Sequence, residues 1–298
     1  MNFRGVMPAI TTPFTNDDEV DFEFVAKHVT WLADHGCTGI VPLGSLGEGA
    51  TLEFEEKRDL LAACVGAIGE RIPVMAAVSA LSTRAACQIA RTAQEVGCSA
   101  LMVLPPYVHK GPMHEIHDHF AAVIEATDLP CMIYNNPIAY GTDLTPPELE
   151  QFAARFENVQ AVKESSGDLR RITAIRALCG DRLALFAGLD DMIVEGVAAG
   201  AVGWIAGLVN AMPRESVELF DRAIAGDHRG AFELYRWFLP LLRLDTVPEF
   251  VQLIKLVQSE CDMGSERCRP PRSAAVGAQR DGALMVIRNA LATRPRLD

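Results

Sequence analysis

The sequence predicts an α/β protein, a closed (β/α)8 TIM barrel that carries a C-terminal helical extension. Eight short apolar runs alternate with stretches of helical periodicity. Several runs are apolar at successive positions, as in parallel strands that are covered on both faces. Eight strand–helix units in about 225 residues fit a closed barrel. The alternative, a doubly wound open sheet, is less favoured because no G-x-G-x-x-G motif follows the first predicted strand.

The predicted strands are short, and glycines mark the points where helices give way to them. Helices that end at Gly36, Gly97 and Gly200 are each followed at once by an apolar run. This arrangement is typical of the αβ connection in a repeated strand–helix unit. The eight predicted strands begin near Val6, Gly39, Pro73, Ala100, Pro130, Val159, Leu183 and Val202.

Capping signals mark the start of several helices. Asp21 precedes a helix that ends at Gly36, and Thr51 is expected to cap a helix that begins near Glu53. The segment T-P-P-E at 145–148 combines a capping hydroxyl, prolines in the first turn and an acid three residues on. These signals place helices between the predicted strands.

The last part of the chain contains helical patterns and no convincing strand. The patterns lie near Glu215–Ile224, Gly230–Leu242, Val247–Cys261 and Asp281–Ala292. Two consecutive prolines at 270 and 271 break the chain before the last of them. We therefore expect residues 1–225 to form the barrel and residues 226–298 to form a helical extension packed on it.

The charge balance limits the partners that the protein can have. The 298 residues include 27 Lys and Arg against 39 Asp and Glu, a net charge of −12, and 49% are hydrophobic. This acidic balance argues against nucleic acid or an anionic membrane as a partner. The start of the chain shows no secretory signal, and no apolar stretch approaches the ~20 residues that span a bilayer. Eight cysteines are scattered without a C-x-x-C pair, so we expect reduced thiols and a cytoplasmic protein.

Polar residues follow the predicted strands at their C-terminal ends, where barrel enzymes place their working groups. The second strand leads into the glycine-rich turn L-G-S-L-G-E-G at 43–49. Its backbone N–H groups can bind a carboxylate or a phosphate, although a plain tight turn is the alternative. The fifth strand ends at Tyr134, a candidate acid–base group. A buried tyrosine with one hydrogen bond is the simpler interpretation of that residue.

Lys163 ends the sixth predicted strand, so its amine is expected to project into the barrel mouth. Burying an ammonium ion is costly, and desolvation favours the neutral amine, which can attack a carbonyl carbon. Two alternatives stay open at this point. Lys163 can form an ion pair with Glu164, or it can reach solvent at the rim of the barrel.

Other polar residues suggest further hypotheses. Four histidines suggest a metal site, namely His109, His114, His117 and His119. The last three have i, i+3, i+5 spacing, and the residue at i+5 is turned away on a helix, so a solvated helix face is preferred. Asp190 and Asp191 are expected to act as a structural cap near a helix start. Trp204 is expected to pack within the barrel.

Five motifs together resemble a known family. They are G-V-M-P-A-I-T-T-P-F at 5–14, G-S-L-G-E at 44–48, Y-N-N-P at 134–137, V-K-E-S-S-G-D at 162–168 and G-L-D-D at 188–191. In this order and at these intervals they resemble the dihydrodipicolinate synthase/N-acetylneuraminate lyase family of class I aldolase-type enzymes, over essentially the whole chain. The resemblance implies a (β/α)8 barrel with a helical C-terminal part, usually a homotetramer, that needs no metal or other cofactor.

The resemblance also implies roles for individual residues. Lys163 would form a Schiff base with the carbonyl or imine carbon of a 2-oxo acid, Tyr134 would be the acid–base group, and Ser45 would relay protons to it. Backbone N–H groups of the turn around Leu46 and Gly47 would hold the substrate carboxylate. Further substrate-binding positions are implied at Ala139, Tyr140 and Ile205.

Departures from the family pattern bear on the substrate. Leu46 stands where the family usually has threonine, and Ala139 where the synthases have an arginine for a second carboxylate. Val108 replaces a second tyrosine that completes a relay across a subunit interface. These changes argue against the lysine-pathway synthase. The motifs look most like the branch that acts in hydroxyproline breakdown, which implies deamination of the cyclic imine 1-pyrroline-4-hydroxy-2-carboxylate.

Two alternatives accompany this expectation. The first is a pyruvate-dependent aldolase of the synthase or N-acetylneuraminate lyase type. The second is a barrel that binds a 2-oxo acid for regulation without catalysis. In every case the expected partner is a small 2-oxo acid or cyclic imino acid.

Overall fold

The computed structural model describes residues 3–297, and its centre is a parallel sheet. The strands are β1 (Gly5–Pro8), β2 (Met75–Val78), β3 (Ala100–Val103), β4 (Cys131–Asn135), β5 (Val159–Glu164), β6 (Ala184–Ala187) and β7 (Gly203–Ala206). Their order in the sheet is β1-β7-β6-β5-β4-β3-β2, with all neighbours parallel. Most strand residues are buried, as expected of strands covered on both faces.

Residues 38–42 close the sheet into a barrel. Val41 donates its N–H to the carbonyl of Pro8 (2.9 Å), and Met75 donates to the carbonyl of Ile40 (2.9 Å). The segment therefore links β1 to β2, but Ile40 and Val41 form only isolated parallel bridges. Pro42 follows and has no N–H to continue the pairing. The predicted (β/α)8 barrel is confirmed, with the strand expected from Gly39 reduced to this short segment.

Helices cover the outside of the barrel and form the C-terminal extension. Their bounds are α1 (Phe22–Asp34), α2 (Phe54–Ile68), α3 (Thr83–Glu95), α4 (Met113–Glu125), α5 (Pro137–Tyr140), α6 (Pro146–Arg155), α7 (Arg170–Cys179), α8 (Ile193–Ala198), α9 (Pro213–Ala225), α10 (His228–Leu242), α11 (Phe250–Glu260) and α12 (Gly277–Ala292). Single 3-10 turns lie at Gly49–Thr51, Asp190–Met192, Leu208–Asn210 and Arg243–Asp245. Among the described residues, no helix is both long and apolar enough to cross a membrane.

Two of the three predicted helix starts are correct. Asp21 Oδ1 accepts the N–H of Phe24 (3.0 Å) at the start of α1, and the 145–148 segment forms a capping box at the start of α6. The prediction for Thr51 is wrong. Glu53 caps α2 through a reciprocal box with Glu56, and two backbone groups satisfied in this way displace Thr51 from the cap.

The cysteines are free thiols, and most are buried in the core. Burial raises the pKa of Cys37, Cys98 and Cys131 to about 12 in each case, because a thiolate is poorly solvated there. Such thiols are weak nucleophiles and weak metal ligands at neutral pH. They pack as small apolar side chains.

A buried ion pair fastens the C-terminal extension to the barrel. Lys255, on α11, is 2% exposed and places its Nζ 2.5 Å from Oε1 of Glu48, which is also 2% exposed. The ammonium group also donates to the carbonyls of Thr12 (2.8 Å) and Arg267 (2.7 Å). The other Glu48 oxygen accepts the N–H of Arg269 (3.0 Å). Each charge is therefore fully hydrogen bonded, which offsets the cost of its burial.

Replacing one member of this pair is expected to destabilise the fold. Lys255→Met leaves the buried Glu48 carboxylate with only the N–H of Arg269 (3.0 Å) and the guanidinium of Arg272 (3.6 Å), and we expect the free energy of unfolding to fall by about 3 kcal/mol. Denaturant unfolding followed by circular dichroism measures the change. Arg229→Met is the control, because it removes an exposed ion pair with Glu233 and should cost less than ~1 kcal/mol. Equal losses in the two variants would contradict the prediction.

Candidate active site

A cavity of about 540 Å³ opens at the C-terminal ends of the strands. Barrel loops form one side of it, and the segment before α11 forms the other. The residues that line it include Ser45, Leu46, Tyr134, Ala139, Tyr140, Lys163, Gly188, Ile205, Gly207, Asp245, Val247 and Phe250. The structure thus brings every predicted site residue except Gly47 to one cavity.

Lys163 and Tyr134 are placed side by side by the register of the sheet. They are paired positions on β5 and β4, and side chains at paired positions point to the same face. The lysine Nζ lies 4.2 Å from the centroid of the tyrosine ring, and Lys163 is 6% exposed. The amine therefore rests on an aromatic face in a largely dry environment.

The structure does not support the ion-pair alternative for Lys163. Glu164, the proposed partner, accepts the N–H of Ser166 (2.6 Å) and the side-chain amide of Asn135 (3.1 Å) instead. Consecutive strand residues point to opposite faces, so Glu164 is turned away from the lysine. Within residues 3–297, Lys163 forms no salt bridge with a carboxylate.

Gly188, directly after β6, leaves the space that the lysine side chain occupies. A Cβ atom at this position would lie 2.8 Å from Cε of Lys163 and 1.9 Å from Oγ of Ser165. A larger residue would therefore push the lysine out of place. The glycine of the G-L-D-D motif at 188–191 thus makes room for the Lys163 side chain.

Hydroxyl groups form a connected cluster next to the lysine. Ser45 Oγ and Tyr140 OH lie 2.5 Å apart, and the Tyr140 ring packs edge-on against Tyr134 with centroids 5.7 Å apart. The Tyr107 ring also packs against Tyr140, with centroids 5.8 Å apart. Burial, together with the neighbouring tyrosines, raises the pKa of Tyr140 well above its ordinary value. This phenol therefore keeps its proton at neutral pH and can pass it along a hydrogen bond.

The glycine-rich turn offers unused backbone donors to the cavity. Glu48 and Gly49 donate their N–H groups to Ser45 and Gly44 within the turn. The N–H groups of Ser45, Leu46 and Gly47 donate to no acceptor among the described residues. Free N–H groups in a glycine-rich turn can bind an anion such as a carboxylate, and Ser45 and Leu46 line the cavity.

Gly47 is needed for close packing of the turn against residues 10–12. A Cβ at this position would lie 2.8 Å from the carbonyl oxygen of Ile10, and Thr12 donates its hydroxyl to the Gly47 carbonyl (2.6 Å). Gly47 thus lets the turn approach the end of β1 closely.

The remaining predicted residues lie at the mouth and the floor of the cavity. Ala139 is exposed at the mouth, where its N–H is donated to Asn136 Oδ1 (3.0 Å). The Asn136 amide also donates to Tyr134 OH (2.9 Å), which fixes the phenol. Ile205 is buried at the floor. Trp204 is fully buried and does not line the cavity.

Two acidic residues near the cavity, Asp190 and Asp245, have positions that the sequence did not predict. Asp190 is fully buried and accepts the N–H groups of Gly207 (3.1 Å) and Leu208 (2.9 Å). It therefore caps the 3-10 turn after β7 instead of the helix that follows it in the chain. Burial raises the pKa of Asp190 to about 7. Asp245 lines the cavity from the C-terminal extension, and no local motif marks it.

Three of the four histidines of the metal hypothesis are used in separate contacts. His109 pairs with Glu115 (2.6 Å), His117 with Glu148 (3.0 Å), and His119 with the Thr83 hydroxyl (2.9 Å). In the part of the chain that the structure describes, no three ligand-type side chains lie close enough to hold a metal ion. The metal alternative has no structural support.

Comparison with known proteins gives a consistent result. The model of the dihydrodipicolinate synthetase family matches residues 2–287. A 4-hydroxy-tetrahydrodipicolinate synthase of Agrobacterium fabrum is 33% identical over 282 residues, which cover 95% of this chain and 96% of the relative. An enzyme of the same name from Clostridium perfringens is 34% identical over 76% of this chain and 77% of its own.

Solved structures agree in fold. The dihydrodipicolinate synthase from Aquifex aeolicus superposes with a TM-score of 0.92 at 28% identity, over 96% of this chain and 98% of that chain. A putative dihydrodipicolinate synthetase from Pseudomonas aeruginosa gives a TM-score of 0.91 at 29% identity, over 97% and 100% of the two chains. The chain therefore belongs to the dihydrodipicolinate synthetase family, and the protein is a Schiff-base-forming lyase of the class I aldolase type.

Proposed function

We propose that the protein is a deaminase of 1-pyrroline-4-hydroxy-2-carboxylate. The observation that carries this proposal is the charge of the cavity. Of the described residues that line it, Lys163 alone is basic. A substrate with one carboxylate can be held by the free N–H groups of the turn. A second substrate with its own carboxylate would lack a cationic partner, because Ala139 stands where the resemblance places an arginine.

The cavity residues fit an elimination on a covalently held substrate. The amine of Lys163 adds to C2 of the cyclic imine, and the ring opens as its nitrogen leaves C2 as a primary amine. Tyr134 gives its proton to the departing ring nitrogen. The protonated Schiff base then acidifies C3, and the Tyr134 phenolate accepts that proton, which restores the phenol. Loss of the C4 hydroxyl as water follows.

Hydrolysis completes the reaction. After a shift of the double bond, the C5 carbon carries an imine, which water cleaves to an aldehyde and ammonia. A second water cleaves the Schiff base and frees Lys163. Since the elimination releases one water, the net reaction is cyclic imine plus one water to 2-oxoglutarate semialdehyde plus ammonia. No second carbonyl substrate is needed.

A second candidate function is favoured by the names of the relatives. Several curated relatives are 4-hydroxy-tetrahydrodipicolinate synthases, which makes condensation of a 2-oxo acid with an aldehyde the rival reaction. The two reactions share Lys163 and Tyr134. They differ in what must bind beside the Schiff base, and Ala139, which lines the cavity, departs from the synthase pattern there.

A homotetramer is part of the proposal. Leu81 and Val108 are 74% and 73% exposed, and they follow the neighbouring strands β2 and β3. Large exposed apolar side chains after neighbouring strands are candidates for a subunit interface. Light scattering coupled to size exclusion measures the state directly.

Covalent trapping tests the central step. We expect borohydride treatment in the presence of pyruvate to inactivate the protein and to leave one adduct, located on Lys163 by peptide mass spectrometry, because a reduced Schiff base is a stable amine. Lys163→Ala should give no adduct. Lys57→Ala, on helix α2, is the matched control and should be trapped like the wild type. An adduct on any other lysine would contradict the assignment.

Turnover separates the two candidate functions. We expect ammonia release from the cyclic imine, measured with a coupled dehydrogenase, to exceed condensation of pyruvate with aspartate semialdehyde by at least ~100-fold in kcat/KM, since the cavity lacks a cation for a second carboxylate. The opposite ratio would establish the synthase reaction in place of the deaminase.

The hydroxyl cluster is expected to contribute to proton transfer. Tyr140→Phe removes the partner of Ser45, and we expect kcat to fall by ~100-fold with little change in KM. Tyr235→Phe removes a phenol that contacts Glu195 outside the cavity and serves as the control. Retention of full kcat by Tyr140→Phe would show that the hydroxyl takes no part.

A further inference from the structure

Asp245 reaches the active-site cavity from outside the barrel. It ends the 3-10 turn Arg243–Asp245 that joins α10 to α11, and it lines the same cavity as Lys163. Its carboxyl group lies over Gly207, where a Cβ atom would be 2.0 Å from Asp245 Oδ1. Because Gly207 has no side chain, the Asp245 carboxyl group can lie beside the end of β7.

One oxygen of Asp245 has no protein partner. The residue is half-buried as a whole, but Oδ1 is closed off from solvent and forms no hydrogen bond within the described chain. Buried polar atoms are nearly always paired. The neighbouring backbone donors, the N–H groups of Gly207 and Leu208, are already taken by Asp190. The other carboxyl oxygen, Oδ2, is not closed off in this way, and Asp245 lines the cavity, so a polar group of an entering substrate can bind at Oδ2.

The surroundings of Asp245 favour its protonated form. Burial, with the nearby Asp190 carboxyl, raises the pKa of Asp245 well above its ordinary value, while Lys163 opposes this effect and Asp191 adds to it. A carboxyl group that keeps its proton at neutral pH is a hydrogen-bond donor and a general acid.

The fold places Asp245 and the hydroxyl cluster on opposite sides of the lysine. Tyr134 is on β4, next to β5 and its Lys163, whereas Gly207 follows β7, two strands away in the other direction. A substrate fixed to Lys163 through C2 therefore has a proton acceptor on one side and a proton donor on the other. An elimination needs both, since a proton leaves C3 and hydroxide must leave C4.

We propose that Asp245 is a catalytic acid that binds the C4 hydroxyl of the Schiff-base-bound substrate and protonates it as it leaves. This inference rests on the proposed deaminase function. In this step the enamine electrons form the C3–C4 double bond, the C4–O bond breaks, and the Asp245 proton goes to the departing oxygen to give water. Asp245 is left as a carboxylate, which regains a proton from solvent before the next turnover.

Asp245→Asn tests the role, because the amide keeps the shape but cannot give up a proton. We expect two early steps to stay within about twofold of the wild type, namely borohydride trapping with pyruvate and exchange of the pyruvate methyl protons with deuterated water followed by NMR. Ammonia release from the hydroxylated imine should fall by ~100-fold or more. Glu249→Gln, on the same segment but outside the cavity lining, should behave as the wild type in all three assays.

A substrate analogue gives the decisive comparison. With fluorine in place of the C4 hydroxyl, the leaving group departs as fluoride and needs no full protonation. We expect Asp245→Asn to release fluoride within about fivefold of the wild-type rate. Equal loss with both substrates, or full ammonia release by the variant, would overturn the inference while the proposed function stands. A wild-type protein that is trapped by pyruvate but releases no ammonia would overturn the proposed function, and this role of Asp245 with it.

Discussion

The ion pair between Glu48 and Lys255 connects the two parts of the protein that form the active-site cavity, the barrel and the C-terminal extension. Glu48 ends the glycine-rich turn that presents free N–H groups to the cavity, and Lys255 lies on α11, directly after the segment that carries Asp245. Both charges are buried and fully hydrogen bonded, so the pair has one favourable arrangement. The position of the extension over the barrel mouth, and with it the shape of the cavity, depends on that arrangement.

A second constraint is the placement of the reactive amine. Lys163 is held by strand register next to an aromatic ring, and Gly188 leaves room for its stem. The carboxylate that follows it in the chain is turned to the other face of the strand and satisfied there. The amine is thereby kept free of a permanent counter-ion. A covalent reaction with a carbonyl or imine carbon requires this, because a paired ammonium ion has no lone pair to donate.

Sequence reasoning predicted the features that are encoded locally. Strand positions follow from apolar periodicity, and the ends of predicted strands located Lys163 and Tyr134. It failed where two local signals compete, as at Thr51, where the Glu53 and Glu56 box forms a better cap. It also failed where partners are far apart in the chain. Lys255 meets Glu48 across 207 positions, and Asp245 enters the cavity from a different layer, so no pattern within one segment marks either residue.

The residues that line the cavity come from two separate parts of the chain, which bears on how the protein can evolve. The amine and the hydroxyl cluster belong to the barrel, while Asp245 and Val247 lie on the connection between α10 and α11 of the extension. The reactive amine and the part of the cavity that holds Asp245 are thus encoded in separate stretches of the chain. Replacement of that single connection can give a descendant a new leaving-group preference while the inherited lysine chemistry is left intact.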